Sequence, residues 1–499
     1  MTESCEIALD RRLDADLLAR SHLPVDVRLS DAARLELKQC RAFVDTHLAE
    51  GHEVYGATTG FGPLVTFAGR DSLVDQCDNT LQHLSAGQGR ELPSEVVRAA
   101  VLTRLWSLAK GRSGVSPAVI DTLCAMLRTS FTPAVPSLGS VGASGDLVPL
   151  AHVAQCLRGH GHAYFEGRRM PSAEALTAAG LEPLQLDGRD ALALVNGTSV
   201  TVAAAALAWT SIRRSSSSAL ALTALLADLL GCTPAFLSQP LLAAYGHPEA
   251  AVAGERMSAM LAGTRPTGDR PLQEPYSIRC TPQLLGAASS AIAYAGTVVD
   301  NDLNGVSDNP LFFAEENLVA HGGNFFGQPC AFASDLLSLV AIQTGNLAER
   351  QLDLLVDPHR NGGLPPMLSA APGRQHGMQG VQLVSTAIVV DMRRSATPAS
   401  MQSVPTNLHN QDIVPFGTQA ALNAGELAGS LRLLQGSLAL GLRQAGHVGD
   451  RTPTAPFCVE LYDRLAAAIP PIDIDRPLDE DVRTAADVVD EHLADWRDQ

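Results

Sequence analysis

The sequence predicts a mainly helical fold: a long helical bundle preceded by a glycine-punctuated N-terminal region. Three observations predict it. Apolar residues recur at helical spacing over 332–354, 375–394 and 418–445, and again over 482–495. Two stretches, 191–212 and 281–299, carry no charge, as suits helices buried on most sides. The chain has 499 residues, 46% hydrophobic and 18% charged, which supplies a large core and excludes a disordered chain.

In chain order, Ser30 is placed to cap a first helix carrying Leu35, Leu37, Phe43 and Val44 at amphipathic spacing. Ser94 and Glu95 open a second, ending near Lys110-Gly111. Ser116-Pro117 opens a third, because proline is tolerated where its missing N–H has no helical partner. Glycine-rich connections lie at 55–62 and 139–145, the latter leading into a helix near Leu147 with Asp146 favourable at its N-terminus. The 191–212 run is long enough to span a bilayer. However, Asn196-Gly197-Thr198-Ser199 interrupts it, Arg213 and Arg214 follow, and no aromatic belt flanks it. It reads as buried helix, with Ser215–Ser218 a polar helical turn. Prolines at 365–366, 398–405 and 453–456 separate the later helices. The expected division is 1–200, holding the glycine-rich loops, and 201–499, the helical bundle. Such uniformly apolar helices also imply packing between subunits.

Charge and cysteine usage narrow the function. With 36 basic against 53 acidic residues, net −17, there is no basic face for nucleic acid and no polybasic membrane segment. The nine cysteines are scattered without a Cys-x-x-Cys pair, and residues 1–12 are acidic where a signal peptide would be apolar. A reducing, cytoplasmic setting is expected. Phosphate-loop, dinucleotide-turn and zinc-helix motifs are missing, and His160 and His162 read as a surface loop, so no metal is expected. Gly142-Ala143-Ser144-Gly145 fails as a nucleophile elbow because Asp146 replaces the final glycine. Lys38 and Lys110 are the only lysines, which disfavours pyridoxal phosphate chemistry and its obligatory Schiff-base lysine.

The segment from Pro136 to His152, PSLGSVGASGDLVPLAH, is the most informative. Gly145 lacks a Cβ, so its nitrogen can approach the Ala143 carbonyl carbon in a tight turn. Ring closure with loss of water, then loss of the Ser144 hydroxyl as a second water, would leave an electrophilic methylidene that no ordinary side chain supplies. The run resembles the self-processing loop of the aromatic amino acid ammonia-lyase and aminomutase family, whose prosthetic group is 4-methylideneimidazole-5-one (MIO). Further segments follow in that family's order: Tyr55-Gly56-x-x-Thr59-Gly60-Phe61-Gly62, Leu194–Thr198, Gln273–Cys280, Asp308-Asn309-Pro310, His321–Phe325 and Asn410-Gln411-Asp412.

The resemblance implies a role for each. Tyr55 would remove the substrate β-proton; with an ordinary tyrosine pKa of about 10, it needs a helix N-terminus or a cation to hold its phenolate. Arg279 would clamp the substrate carboxylate, its fork matching two oxygens. Asn196 and Tyr276 would hydrogen-bond the MIO carbonyl and the carboxylate, Gln273 and Asn324 would support them, and Phe325 would wall the aromatic pocket. The pair His83-Leu84 is similar to that of the tyrosine-specific branch. Histidine enzymes carry Ser-His there, phenylalanine enzymes commonly Phe-Leu, and histidine enzymes place a glutamate where this chain has Gln411. The resemblance therefore implies tyrosine ammonia-lyase activity, giving p-coumarate and ammonia, in a homotetramer with shared active sites. An aminomutase making β-tyrosine, a phenylalanine or histidine ammonia-lyase, and a non-catalytic helical scaffold are the alternatives.

Overall fold

Helices form where the periodic runs lie, and caps set their ends. The computed structural model describes residues 3–70, 72–449 and 451–497. The fold is mainly helical, as predicted. The four long periodic runs become helices Gln328–Val356, Gln379–Arg394, Gly417–Val448 and Asp479–Arg497. Ser30 does cap Asp31–Ala49, its hydroxyl accepting from Ala33 N–H at 3.3 Å. The buried face of that helix is Ala33, Leu37, Cys40 and Val44, whereas Leu35 is 55% exposed. It falls two positions off the i, i+4, i+7 stripe that meets the core. Ser116 precedes Pro117–Leu127, but its hydroxyl donates to Asp190 (2.8 Å) instead of capping that helix. Among the described residues no helix is long and apolar enough to cross a membrane. The 191–212 run is broken at Asn196 between Asp190–Val195 and Ser199–Leu230. None of the nine cysteines is in a disulfide, and eight are buried.

The chain forms two units. The first comprises 1–210, 295–335 and 398–422; the second comprises 211–294, 336–397 and 423–499. The boundary expected at 200 thus falls just inside the Ser199–Leu230 helix. The two later segments of the first unit carry the Asp308-Asn309-Pro310, His321–Phe325 and Asn410–Asp412 motifs.

In the first unit, helix Ser94–Leu108 is buried from Val96 onward. Its Arg98 lies inside the core, and five backbone carbonyls, of Ser21, Leu23, Leu127, Thr129 and Phe131, accept from its guanidinium. Those carbonyls lie at or just beyond the ends of helices Ala15–Arg20 and Pro117–Leu127, where a cation is favoured and orphan C=O groups need donors. Burial still pushes the Arg98 pKa down to about 10. The second unit uses buried glutamines similarly. Gln351 donates to Thr223 and to the Ser277 carbonyl, and Gln435 donates to the Ser215 carbonyl. The Ser215–Ser218 turn is helical, as expected, and buried.

Candidate active site

The 140–146 loop doubles back on itself. Gly145 has φ +69°, and the backbones of Ala143 and Gly145 pair with one another. A Cβ at 145 would strike the Gly197 carbonyl, so only glycine fits this close approach. Both oxygens of Ser144 carry donors: Asn196 Nδ2 reaches the carbonyl at 3.0 Å and Gln411 Nε2 reaches the hydroxyl at 2.6 Å. Asn196 is oriented by its other end, because Asn309 N–H donates to its Oδ1 at 2.6 Å. A ring condensed from 143–145 needs a glycine nitrogen beside the Ala143 carbonyl, a serine hydroxyl to lose and a donor at the Ser144 oxygen. The residues present fit MIO.

Asp146 anchors this loop in a way the sequence reading missed. Its carboxylate gives the Leu147–Leu157 helix no side-chain cap. It accepts instead from Val200 N–H, Thr201 N–H and the hydroxyls of Ser140, Thr201 and Thr418, all at 2.7–2.8 Å. The fully buried anion therefore sits at the start of the Ser199–Leu230 helix, where unpaired N–H groups and the helix dipole favour it. Its own N–H donates to Gly197 O at 2.7 Å. This ties the 140–146 loop to the Asn196-Gly197 turn.

A cavity of about 930 Å³ opens over Ala143 and Ser144. It is lined by Tyr55, Phe61, His83, Leu84, Asn196, Phe325 and Gln411, among others, all in the first unit. Gly62 N–H donates to the Tyr55 phenol oxygen at 2.8 Å, and the Tyr55 ring meets Phe61 edge-on at 6.0 Å. The anticipated helix N-terminus is thus one 3-10 turn, Gly62–Leu64. His83 Nδ1 donates to the Asn79 carbonyl at 2.8 Å, and its ring stands 5.7 Å from Phe61. The 407–409 backbone, Asn407, Leu408 and His409, holds left-handed φ of 49–60° in a turn closed by Thr406 and Gln411. That strained turn brings Asn407, Asn410 and Gln411 to the cavity wall.

This loop, its anchor and its cavity agree with a family profile described as "Aromatic amino acid lyase", which matches residues 14–467. The chain belongs to the aromatic amino acid lyase family. Among curated relatives of this lyase, a histidine ammonia-lyase of Geobacillus kaustophilus is 38% identical over 88% of each chain. A tyrosine ammonia-lyase of Cereibacter sphaeroides is also 38% identical, over 96% of each. Among solved structures, tyrosine aminomutase from Streptomyces globisporus matches with a TM-score of 0.92 at 30% identity, covering 99% of this chain and 97% of that one.

The remaining anticipated residues of the lyase lie elsewhere. Gln273, Tyr276 and Arg279 belong to the second unit and do not line this cavity. Tyr276 is 72% exposed, with the Arg279 guanidinium 4.7 Å over its ring. Arg279 lines a separate cavity of about 420 Å³ with Tyr245, Cys280 and Gln283. Asn324 is exposed and donates to the Val306 carbonyl at 3.4 Å. His152 also escaped the sequence reading. Gly87 N–H donates to its Nε2 at 3.2 Å, steadying the end of the His83 segment, and burial pushes its pKa down.

Beneath Asn309, Asp308 is buried between two buried guanidinium groups, Arg104 at 3.6 Å and Arg189 at 3.8 Å. Arg104 also donates to the Ala193 carbonyl, and Arg189 to those of Ser113 and Pro310. Asp308→Ala would remove the ion-pair partner that two buried cations share, so it is expected to destabilise the protein by about 3–5 kcal/mol. Urea unfolding followed by circular dichroism checks this.

Proposed function

We propose that the protein is a tyrosine ammonia-lyase converting L-tyrosine to p-coumarate and ammonia, working in the cytoplasm as a homotetramer. His83 is the observation that carries the substrate choice. Its Nδ1–H is committed to the Asn79 carbonyl, which leaves Nε2 to accept from the para-hydroxyl of a bound tyrosine. Leu84 beside it gives the ring an apolar wall. Gln411 argues against histidine as substrate: a neutral amide, already donating to Ser144, offers imidazolium no charge.

The prosthetic group would form from the chain itself. Gly145 N bonds to the Ala143 carbonyl carbon, whose oxygen leaves as water with the Gly145 and Ser144 amide protons. The Ser144 hydroxyl then leaves with the Cα proton. The resulting ring supplies an electrophile for the substrate amino group. Asn196 donates to the Ser144 carbonyl oxygen, where it would stabilise negative charge on the group once formed. Tyr55 takes the β-proton, with Gly62 N–H remaining on its oxygen. Phe61 and Phe325 bound the aromatic end of the cavity and limit water. Gln273, Tyr276 and Arg279 would reach a cavity of another copy. The 97% exposure of Leu272 and 72% of Tyr276 support a strip that a partner covers.

Product analysis on separate incubations with L-tyrosine, L-phenylalanine and L-histidine tests this reading. p-Coumarate from tyrosine is expected. β-Tyrosine would make the enzyme an aminomutase, as the S. globisporus relative is named, and preference for histidine would overturn the selectivity argument. His83→Phe removes the acceptor and is expected to raise the phenylalanine-to-tyrosine ratio of kcat/KM roughly 10- to 100-fold. An unchanged ratio would show that His83 does not read the hydroxyl.

A further inference from the structure

Helix Asp31–Ala49 ends in a turn that brings two histidines together. Glu50 is the last helical cap residue, and Gly51 follows with φ +82°. Gly51 N–H donates to Leu48 O at 3.0 Å, and His52 N–H donates back to His47 O at 3.2 Å. These paired bonds define a Schellman ending, in which the residue after the glycine folds over the helix's last turn. An apolar pair ordinarily occupies those two positions. Here both are imidazoles, stacked with centroids 4.2 Å apart and planes 27° apart. The Glu50 carboxylate stands beside them, 3.4 Å from His52 Nε2. One ligand atom from each of His47, Glu50 and His52 lies within 4.8 Å of the others.

We infer that His47, Glu50 and His52 form a binding site for a divalent transition ion, Zn²⁺, Co²⁺, Ni²⁺ or Cu²⁺. Two imidazoles and a carboxylate are a borderline donor set that suits these ions and not Mg²⁺ or Ca²⁺, which require oxygen cages. Tetrahedral zinc with bonds of 2.0–2.2 Å holds its donors roughly 3.3 Å apart. Glu50 and His52 already stand near that separation, and small rotations of partly exposed side chains close the two edges to His47, which lie within 4.8 Å. Water takes the fourth position. The carbonyl end of the helix adds a favourable field for a cation. The backbone turn fixes the three residues beforehand, which lowers the ordering cost of binding. His52 also lies just before Val54 and Tyr55, and Val54 shares a small buried cluster with Cys40 and Val44 of the same helix. A bound ion would therefore fasten the start of the Tyr55 segment to that helix.

The test uses full-length protein without an affinity tag, stripped with chelator and titrated with Co²⁺ while visible absorption and bound metal are followed. One equivalent per chain is expected, with d–d bands of a four- or five-coordinate site, displaced by Zn²⁺ and not by Mg²⁺. His52→Ala and Glu50→Gln should each abolish that equivalent, whereas His22→Ala, an exposed histidine elsewhere, should keep it. Both altered side chains are exposed, and circular dichroism checks that the variants fold. Thermal midpoints should rise with Zn²⁺ in the wild type and not in His52→Ala. No stoichiometric binding, or equal binding by wild type and His52→Ala, would overturn the site and leave a His52–Glu50 ion pair only.

Discussion

Ser144→Ala is expected to lower kcat on the order of 10³-fold or more, because the electrophile cannot be made without a β-hydroxyl to eliminate. The variant should fold, since the change removes one oxygen and its single hydrogen bond from Gln411. Asp146 and its five donors, which set the loop's course, stay in place. A folded, inactive protein with wild-type circular dichroism is therefore the predicted outcome. Steady-state release of arylacrylate, followed by its ultraviolet absorption, measures the loss. Activity near wild type in Ser144→Ala would show that another group supplies the electrophile.

The second large effect is at Tyr55. Replacing it with phenylalanine keeps the ring that packs against Phe61 and removes the phenol oxygen proposed to take the β-proton. A positioned general base contributes about 10²–10⁴-fold, so kcat should fall by that factor. Because the proton moves only in the transition state, KM should change little and kcat/KM should fall with kcat. Gly62 N–H loses its acceptor in the variant, and a small loss of loop stability should accompany the kinetic defect. A fall confined to KM would instead make Tyr55 a binding residue.

Much of this site was legible because its chemistry rests on residue identity in short runs. The 143–145 triplet, Tyr55, His83, Leu84, Asn196, Phe325 and Gln411 are named by motif, and all but Gly145 line one cavity. Helix placement was legible for a different reason: a buried stripe must repeat every 3.6 residues wherever it occurs. What escaped was pairing at long range. Asp146 reads locally as the start of its own helix, yet its donors come from positions 140, 200, 201 and 418. No periodicity encodes which helix start a buried anion will occupy. The same holds for Ser116, whose hydroxyl turns to Asp190, and for His152, reached by the amide of Gly87. His47 and His52 are five apart, a spacing that signals little without paired cysteines beside it, and the glycine turn between them brings their rings into contact.

Condensation of Ala143, Ser144 and Gly145 is the central claim, and peptide mass measurement tests it most directly. Proteolysis of catalytically active enzyme should yield a fragment spanning these residues that is lighter than its encoded mass by two waters. An active preparation in which that fragment carries its full encoded mass would contradict the account.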